Sequence, residues 1–94
     1  MLESELEKKF TFAVKRMGGL PLKFVSPNCR GVPDRLVLFP GGVITFAEIK
    51  RPGGKLRKLQ EYRKKELENL GFRVWVIDSD VTVSCFCKFY ERKK

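Results

Sequence analysis

Two short apolar runs, Arg35 to Phe39 and Val43 to Lys50, are separated only by Pro40-Gly41-Gly42. No other feature limits the possible folds so strongly. Glycine adopts the left-handed backbone angles that a tight reversal needs, and proline presets the turn. Runs of Val, Leu, Ile and Phe on either side of such a reversal read as a β-hairpin. Folding it about Gly41 sets Phe39 opposite Val43 across a three-residue loop and pairs positions whose numbers sum to 82. Asp34 then lies directly opposite Glu48, and opposed residues hold their Cβ atoms about 4.5–5.5 Å apart. Because side chains alternate between faces, Glu48 and Lys50 share a face and Asp34 shares it with them. A slip of one residue would turn Asp34 away.

The rest of the chain reads as support for this hairpin. Leu2, Leu6, Phe10, Ala13, Val14 and Met17 recur at helical spacing, which predicts a helix over Leu2 to Met17 stopped by Gly18-Gly19. Leu20 to Val25 is expected to contain a short strand, with Leu22 to Val25 as its narrower placement, followed by the turn-rich loop Ser26-Pro27-Asn28-Cys29-Arg30-Gly31. Both faces of the hairpin strands are mostly apolar, so helices are expected on both sides of the sheet. After the basic loop Arg51-Pro52-Gly53-Gly54-Lys55, a second helix runs from about Leu56 to Leu70, with Leu56, Leu59, Leu67 and Leu70 inward. Phe72 to Ile77 is a strand. Ser79 or Asp80 could cap a last helix bearing Phe86, Phe89 and Tyr90, although Val81-Thr82-Val83 would also suit a strand. The tail Glu91-Arg92-Lys93-Lys94 is expected to fray. No repeat or boundary divides the 94 residues, so one domain, 1–94, is expected.

Composition narrows the chemistry. The chain carries 20 Lys and Arg against 11 Asp and Glu, a net +9, which points to a polyanion as partner. No apolar run approaches the ~20 residues of a membrane span, and the acidic start lacks the apolar core of a signal peptide. A cytoplasmic protein without a membrane partner is expected, in the host's cytoplasm if the source is viral. Three cysteines at these spacings make neither a disulfide framework nor a zinc knuckle. Histidine is absent, which removes every mechanism that uses imidazole as base, nucleophile or ligand.

Two carboxylates facing each other on an apolar sheet repel, and need a proton, a cation or a metal between them. A hard ion such as Mg²⁺ suits one or two carboxylates completed by water and phosphate. Such an ion can bind a phosphate oxygen, acidify a water and neutralise developing charge. Lys50 can orient the attacking water or stabilise the pentavalent phosphorus. Pro33 fixes the backbone ahead of Asp34. Glu3 and Glu7 edge the apolar stripe of the first helix; either is an ordinary first-turn acid, or one of them leans over the site. Taken alone, Pro-Asp is a common turn and Glu-x-Lys a common surface pair. The pairing arithmetic, the basic charge and the absent histidine together favour a metal site for cutting nucleic acid.

Pro33-Asp34, a spacer, then Glu48-Ile49-Lys50 resembles the signature of the PD-(D/E)xK nucleases. The longer string Gly31-Val32-Pro33-Asp34-Arg35, Phe46-Ala47-Glu48-Ile49-Lys50, Gly54-Lys55-Leu56 and Gln60 is similar to the VRR-NUC subfamily. The resemblance implies an α/β fold with a restriction-endonuclease-like αβββαβ core, a mixed sheet flanked by helices. It implies that Asp34, Glu48 and the main-chain carbonyl of Ile49 hold Mg²⁺, with Mn²⁺ as substitute, and that Lys50 is catalytic. It implies that a first-helix glutamate completes the site, Glu7 by helix spacing with Glu3 as the alternative. It also places Gln60 beside the site, and it implies a homodimer acting on branched DNA in the manner of a Holliday-junction resolvase, without a nucleotide cofactor. Members within larger repair proteins act as monomers on flaps.

Arg30 and Arg35 before the site, and Arg51, Lys55, Arg57 and Lys58 after it, would then neutralise phosphates around the scissile bond. Such contacts position the backbone and carry no sequence information. Arg63, Lys64 and Lys65 are expected to be plainly solvated. Two other readings compete: a non-catalytic or partner-dependent DNA-binding module on the same fold, and a basic ribosome-associated protein of another fold.

Overall fold

The structure, a computed structural model, describes residues 1–91. Its chain order is α1 (Glu3–Arg16), β1 (Leu20–Lys23), β2 (Arg35–Phe39), β3 (Val43–Ile49), α2 (Lys58–Asn69), β4 (Val74–Ile77) and α3 (Asp80–Glu91). The strands form one sheet in the order β1-β2-β3-β4. β1 with β2 and β2 with β3 are antiparallel, whereas β3 and β4 are parallel and therefore need the α2 crossover between them. This is the expected mixed sheet flanked by helices. The three residues Arg92 to Lys94 lie outside the described residues, and with them most of the expectation of a frayed tail; Glu91 closes α3.

α1 forms because Leu6, Phe10, Val14 and Met17 fall on one side of a 3.6-residue period, and all four are buried. Its start is tied by Glu5, whose carboxylate accepts from the Leu2 amide at 2.9 Å, and Gly18 ends it with φ 81°. α1 and α3 cover the face of the sheet that presents Val37, Ala47, Ile49 and Ile77, and Phe86 and Tyr90 of α3 close that core. The last segment is a helix, not a strand. Ser79 caps it, its Oγ accepting from the Thr82 amide at 3.2 Å while Thr82 Oγ1 accepts from the Ser79 amide at 3.1 Å.

Three expectations change. β1 begins two residues before the narrower placement, because Leu20 and Leu22 pair with Leu38 and Leu36. Helix cover is one-sided over half the sheet: α2 packs on β4, so Leu20 (51% exposed) and Ile44 (44%) on the other half keep much of their surface in solvent. α2 itself has no buried residue; Leu56 and Leu67 are half-buried, but Leu59 and Leu70 are exposed rather than inward.

The loop leading to Asp34 is clamped against α2. Gly31 has φ 82°, and a Cβ there would come within 2.9 Å of the Leu59 carbonyl oxygen. Arg63 donates from Nε to the Arg30 carbonyl at 2.9 Å on the same contact. Gly31→Ala combines left-handed strain with a backbone clash, so it should lower unfolding free energy by about 1–3 kcal/mol in urea titration. Loss of less than a few tenths would show that the loop is not held there.

Candidate active site

The hairpin pairs Phe39 with Val43 and continues residue by residue to Arg35 with Ala47, the register in which paired numbers sum to 82. One step further, Asp34 meets Glu48. Each carboxylate reaches the backbone of the opposite strand. Glu48 Oε1 accepts from the Asp34 amide at 3.2 Å, and Asp34 Oδ1 accepts from the Ile49 amide at 3.2 Å. The ladder thus ends in two side chain–backbone bonds. The Asp34 carbonyl is held as well, by the Phe24 amide at 2.9 Å.

Glu48 is 7% exposed and Asp34 is half-buried. Burial pushes both carboxyls above their ordinary values. For Glu48 the charge of Asp34 adds to that rise and Lys50 opposes it; for Asp34 the Ile49 amide and then Arg35 oppose the rise. Lys50 Nζ lies 3.6 Å from Glu48 Oε2. Its amide donates to the Ile77 carbonyl at 2.9 Å, which fixes it at the end of the parallel β3–β4 pair. Gln60 Nε2 donates to Glu48 Oε2 at 3.1 Å, and Gln60 Oε1 accepts from the Arg57 amide at 2.9 Å. The same amide therefore ties the start of α2 to the carboxylate.

The structure brings Asp34, Glu48, Lys50 and Gln60 together. Glu7 is near them but engaged: its Oε1 lies 2.6 Å from Arg35 Nη2. The charges of Glu7 and Glu3 both reach Asp34 and raise its carboxyl further, in that order. Among the described residues no three His, Cys, Asp or Glu side chains converge as a ready metal cluster. The available donors are two carboxylates and the Ile49 carbonyl. That all-oxygen set fits Mg²⁺, which keeps most of its water and shares phosphate oxygens.

The basic residues divide differently from the sequence expectation. Arg30, Arg51, Lys55, Arg57 and Lys58 are exposed. Arg35 is 6% exposed and faces α1, so it cannot reach DNA and leaves the DNA-contacting set. A signal was available: 35, 37 and 39 alternate onto the core face, where Val37 is buried and Phe39 packs on the core. Arg63 is not plainly solvated either, since its side chain bridges the Arg30 carbonyl and Glu66 Oε1. Lys64 pairs with Glu68 at 3.0 Å.

A mixed sheet of this order, with two facing carboxylates and a lysine at one strand end, defines a nuclease of the restriction-endonuclease-like class. A solved structure described as a VRR_NUC domain superposes with a TM-score of 0.87 at 29% identity, covering 94% of this chain and 96% of that one. A protein of Acyrthosiphon pisum secondary endosymbiont phage 1, described as "Putative nuclease p44", is 47% identical over 77 residues, 82% of this chain and 83% of that protein. No family model matches the chain. The chain belongs to the VRR-NUC family of nucleases.

The raised carboxyls carry a sign that can be measured. A carboxyl whose folded pKa lies above its unfolded value leaves the native state with more bound protons in between. Stability from that group is therefore full below the unfolded value and falls as pH rises. The ordinary values are 3.8 for Asp34 and 4.5 for Glu48, so the window opens there and extends upward. In metal chelator, Asp34→Asn should gain melting temperature relative to the parent as pH rises from about 4 to 7. A difference that is flat across that range would contradict the burial-driven rise.

Proposed function

We propose that this protein is a Mg²⁺-dependent, structure-selective endodeoxyribonuclease that hydrolyses phosphodiester bonds in branched DNA, as Holliday-junction resolvases do, and that it works as a homodimer. The observation that carries the reading is the Asp34–Glu48 apposition, with Lys50 Nζ 3.6 Å from Glu48. A cation held by Asp34, Glu48 and the Ile49 carbonyl, Mn²⁺ serving as substitute, supplies charge neutralisation at the phosphate and an acidified water. Asp34 and Glu48 place that charge, and their own burial makes the unscreened pair costly without it. Lys50, with its side chain 16% exposed, presents an ammonium to the attacked phosphoryl group and to the water that attacks it. Gln60 holds Glu48 toward the start of α2 by donating to Oε2.

Arg30, Arg51, Lys55, Arg57 and Lys58 stand exposed on the loops and the start of α2 that flank the site. They suit phosphates on both sides of the scissile bond, and contacts of that kind read the shape of the backbone rather than its bases. A second copy is supported by the half of the sheet that α2 leaves open, where Leu20, Leu22, Leu36, Leu38 and Ile44 share one face and are exposed or half-buried. Aliphatic surface of this kind repels a polyanion and suits a like surface. No described helix is long and apolar enough to cross a membrane. Work on DNA in the cytoplasm, the host's if the gene is phage-borne, completes the proposal.

Four-way junction, flap and linear duplex offered side by side, with solution mass measured on the same sample, separate the readings. Junction cleavage should require Mg²⁺ or Mn²⁺ and fall by about 10²–10³-fold or more in Asp34→Ala, Glu48→Ala and Lys50→Ala. The logarithm of DNA affinity should fall with that of salt at a slope of about −4 to −5 if the exposed cations named above all meet phosphate. Preference for the flap with a monomeric mass would favour a flap nuclease. Tight binding without cleavage in Mn²⁺ would leave a binding module.

A further inference from the structure

Arg35 stands where the alternation of β2 calls for an apolar residue. Its neighbours on that face are Val37 and Phe39, and its side chain is 7% exposed. A buried guanidinium is costly unless every part of it is used. Arg35 uses it in two directions: Nη2 meets Glu7 Oε1 of α1 at 2.6 Å, and Nη1 donates to the Asp34 carbonyl at 3.4 Å. That carbonyl belongs to the residue whose carboxylate stands on the other face of the sheet, bonded to the Ile49 amide.

Asp34 is therefore held at its amide by Glu48, at its carbonyl by Arg35 and Phe24, and at its carboxylate by Ile49. Among the described residues, the Arg35–Glu7 contact is the polar link between this frame and α1. A well-packed apolar residue at 35 would serve the core at least as well, since buried ion pairs rarely add net stability. The retained charge is explained by what it positions.

We propose that Arg35 is a positioning residue, and that Glu7 serves the site through Arg35 by fixing the Asp34 backbone rather than by binding the cation itself. This rests on the cation site proposed above. Glu7 is the carboxylate end of a strut running from α1 through the guanidinium to Asp34. Glu7 then needs only a hydrogen-bond acceptor facing Arg35, which a glutamine also provides.

The test uses the full chain and has one readout that needs no metal. In metal-free protein, Arg35→Met should speed hydrogen exchange at the Ile49 amide, the donor to Asp34, more than at amides of α3. Calorimetric titration with Mn²⁺ should show Arg35→Met weakening the cation by about 10–100-fold, the range for a residue that supports a ligand. Glu7→Gln should weaken it less, and the double variant should be no worse than Arg35→Met alone. Arg35→Lys controls for folding: it keeps the charge beside Glu7 but cannot fork to Asp34, so melting temperature should recover while Mn²⁺ affinity does not.

Losses in Glu7→Gln and Arg35→Met that multiply in the double variant would make Glu7 a ligand and overturn the proposal. So would full recovery of affinity in Arg35→Lys, or unchanged Ile49 exchange in Arg35→Met. If Asp34→Asn itself leaves Mn²⁺ affinity intact, the cation site fails as a whole. If Asp34→Asn loses it while Arg35→Met does not, only the strut fails.

Discussion

Everything at this site depends on two carboxylates, Glu48 buried and Asp34 half-buried, being forced to face each other. Asp34 precedes β2 and Glu48 lies on β3, strands that antiparallel pairing locks in register, and that pairing is set by the three-residue turn Pro40-Gly41-Gly42 between them. Once the register is set, both groups lose water, and the charge of Asp34 adds to the cost of charging Glu48. The protein compensates only in part, with one backbone amide for each carboxylate, Lys50 and the Gln60 amide. What is left over is uncompensated negative charge, which in the proposed function a bound cation would neutralise where the substrate brings only more of it.

The two sides of the sheet do different work. One side is closed by α1 and α3, and its aromatic contacts are dense: Phe86 meets Phe10, Phe39, Trp75 and Tyr90 with centroids 4.7–6.0 Å apart. That side gives the strands a rigid backing. The other carries the carboxylates at one end and an aliphatic patch along β1 and β2, with α2 shielding only the β4 side. A rigid, closed layer behind an open, chemically divided layer would give the proposed DNA, cation and second copy separate areas of one surface. Charge would keep them apart in the proposed function, because the aliphatic area offers phosphate nothing and the carboxylate area repels phosphate unless a cation stands between.

The hairpin and its pairing were legible because they follow from a period of two and a short loop, both of which are local. Asp34, Glu48 and Lys50 could therefore be placed together without any tertiary information. Leu59 and Leu70 were not legible, because a helical period shows that an apolar stripe exists but not that the sheet is wide enough to cover it. Arg35 was misplaced for a related reason: counted among the cations it looks like a phosphate contact, and only its alternation with Val37 and Phe39 marks it as inward. The choice between helix and strand for 81–90 turned on Ser79 and Thr82, whose reciprocal bonds stop the backbone from continuing as β4. β1 started early because its partner residues on β2, not its own sequence, decide where pairing begins.

The buried Arg35–Glu7 pair connects these points. A core built for stability alone would place an aliphatic side chain at 35, and the closed face already has enough such residues to hold α1. The charged pair instead gives α1 one specific attachment to the strand end that carries Asp34. Hydrophobic packing of Leu6, Phe10 and Val14 fixes how far α1 lies from the sheet but tolerates small shifts along it. A fork that must meet both a carboxylate and a carbonyl oxygen tolerates much less. The pair thus converts loose docking of a helix into a defined position for the Asp34 backbone. Because Glu7 faces Arg35, the carboxylates left facing the proposed cation are those of Asp34 and Glu48.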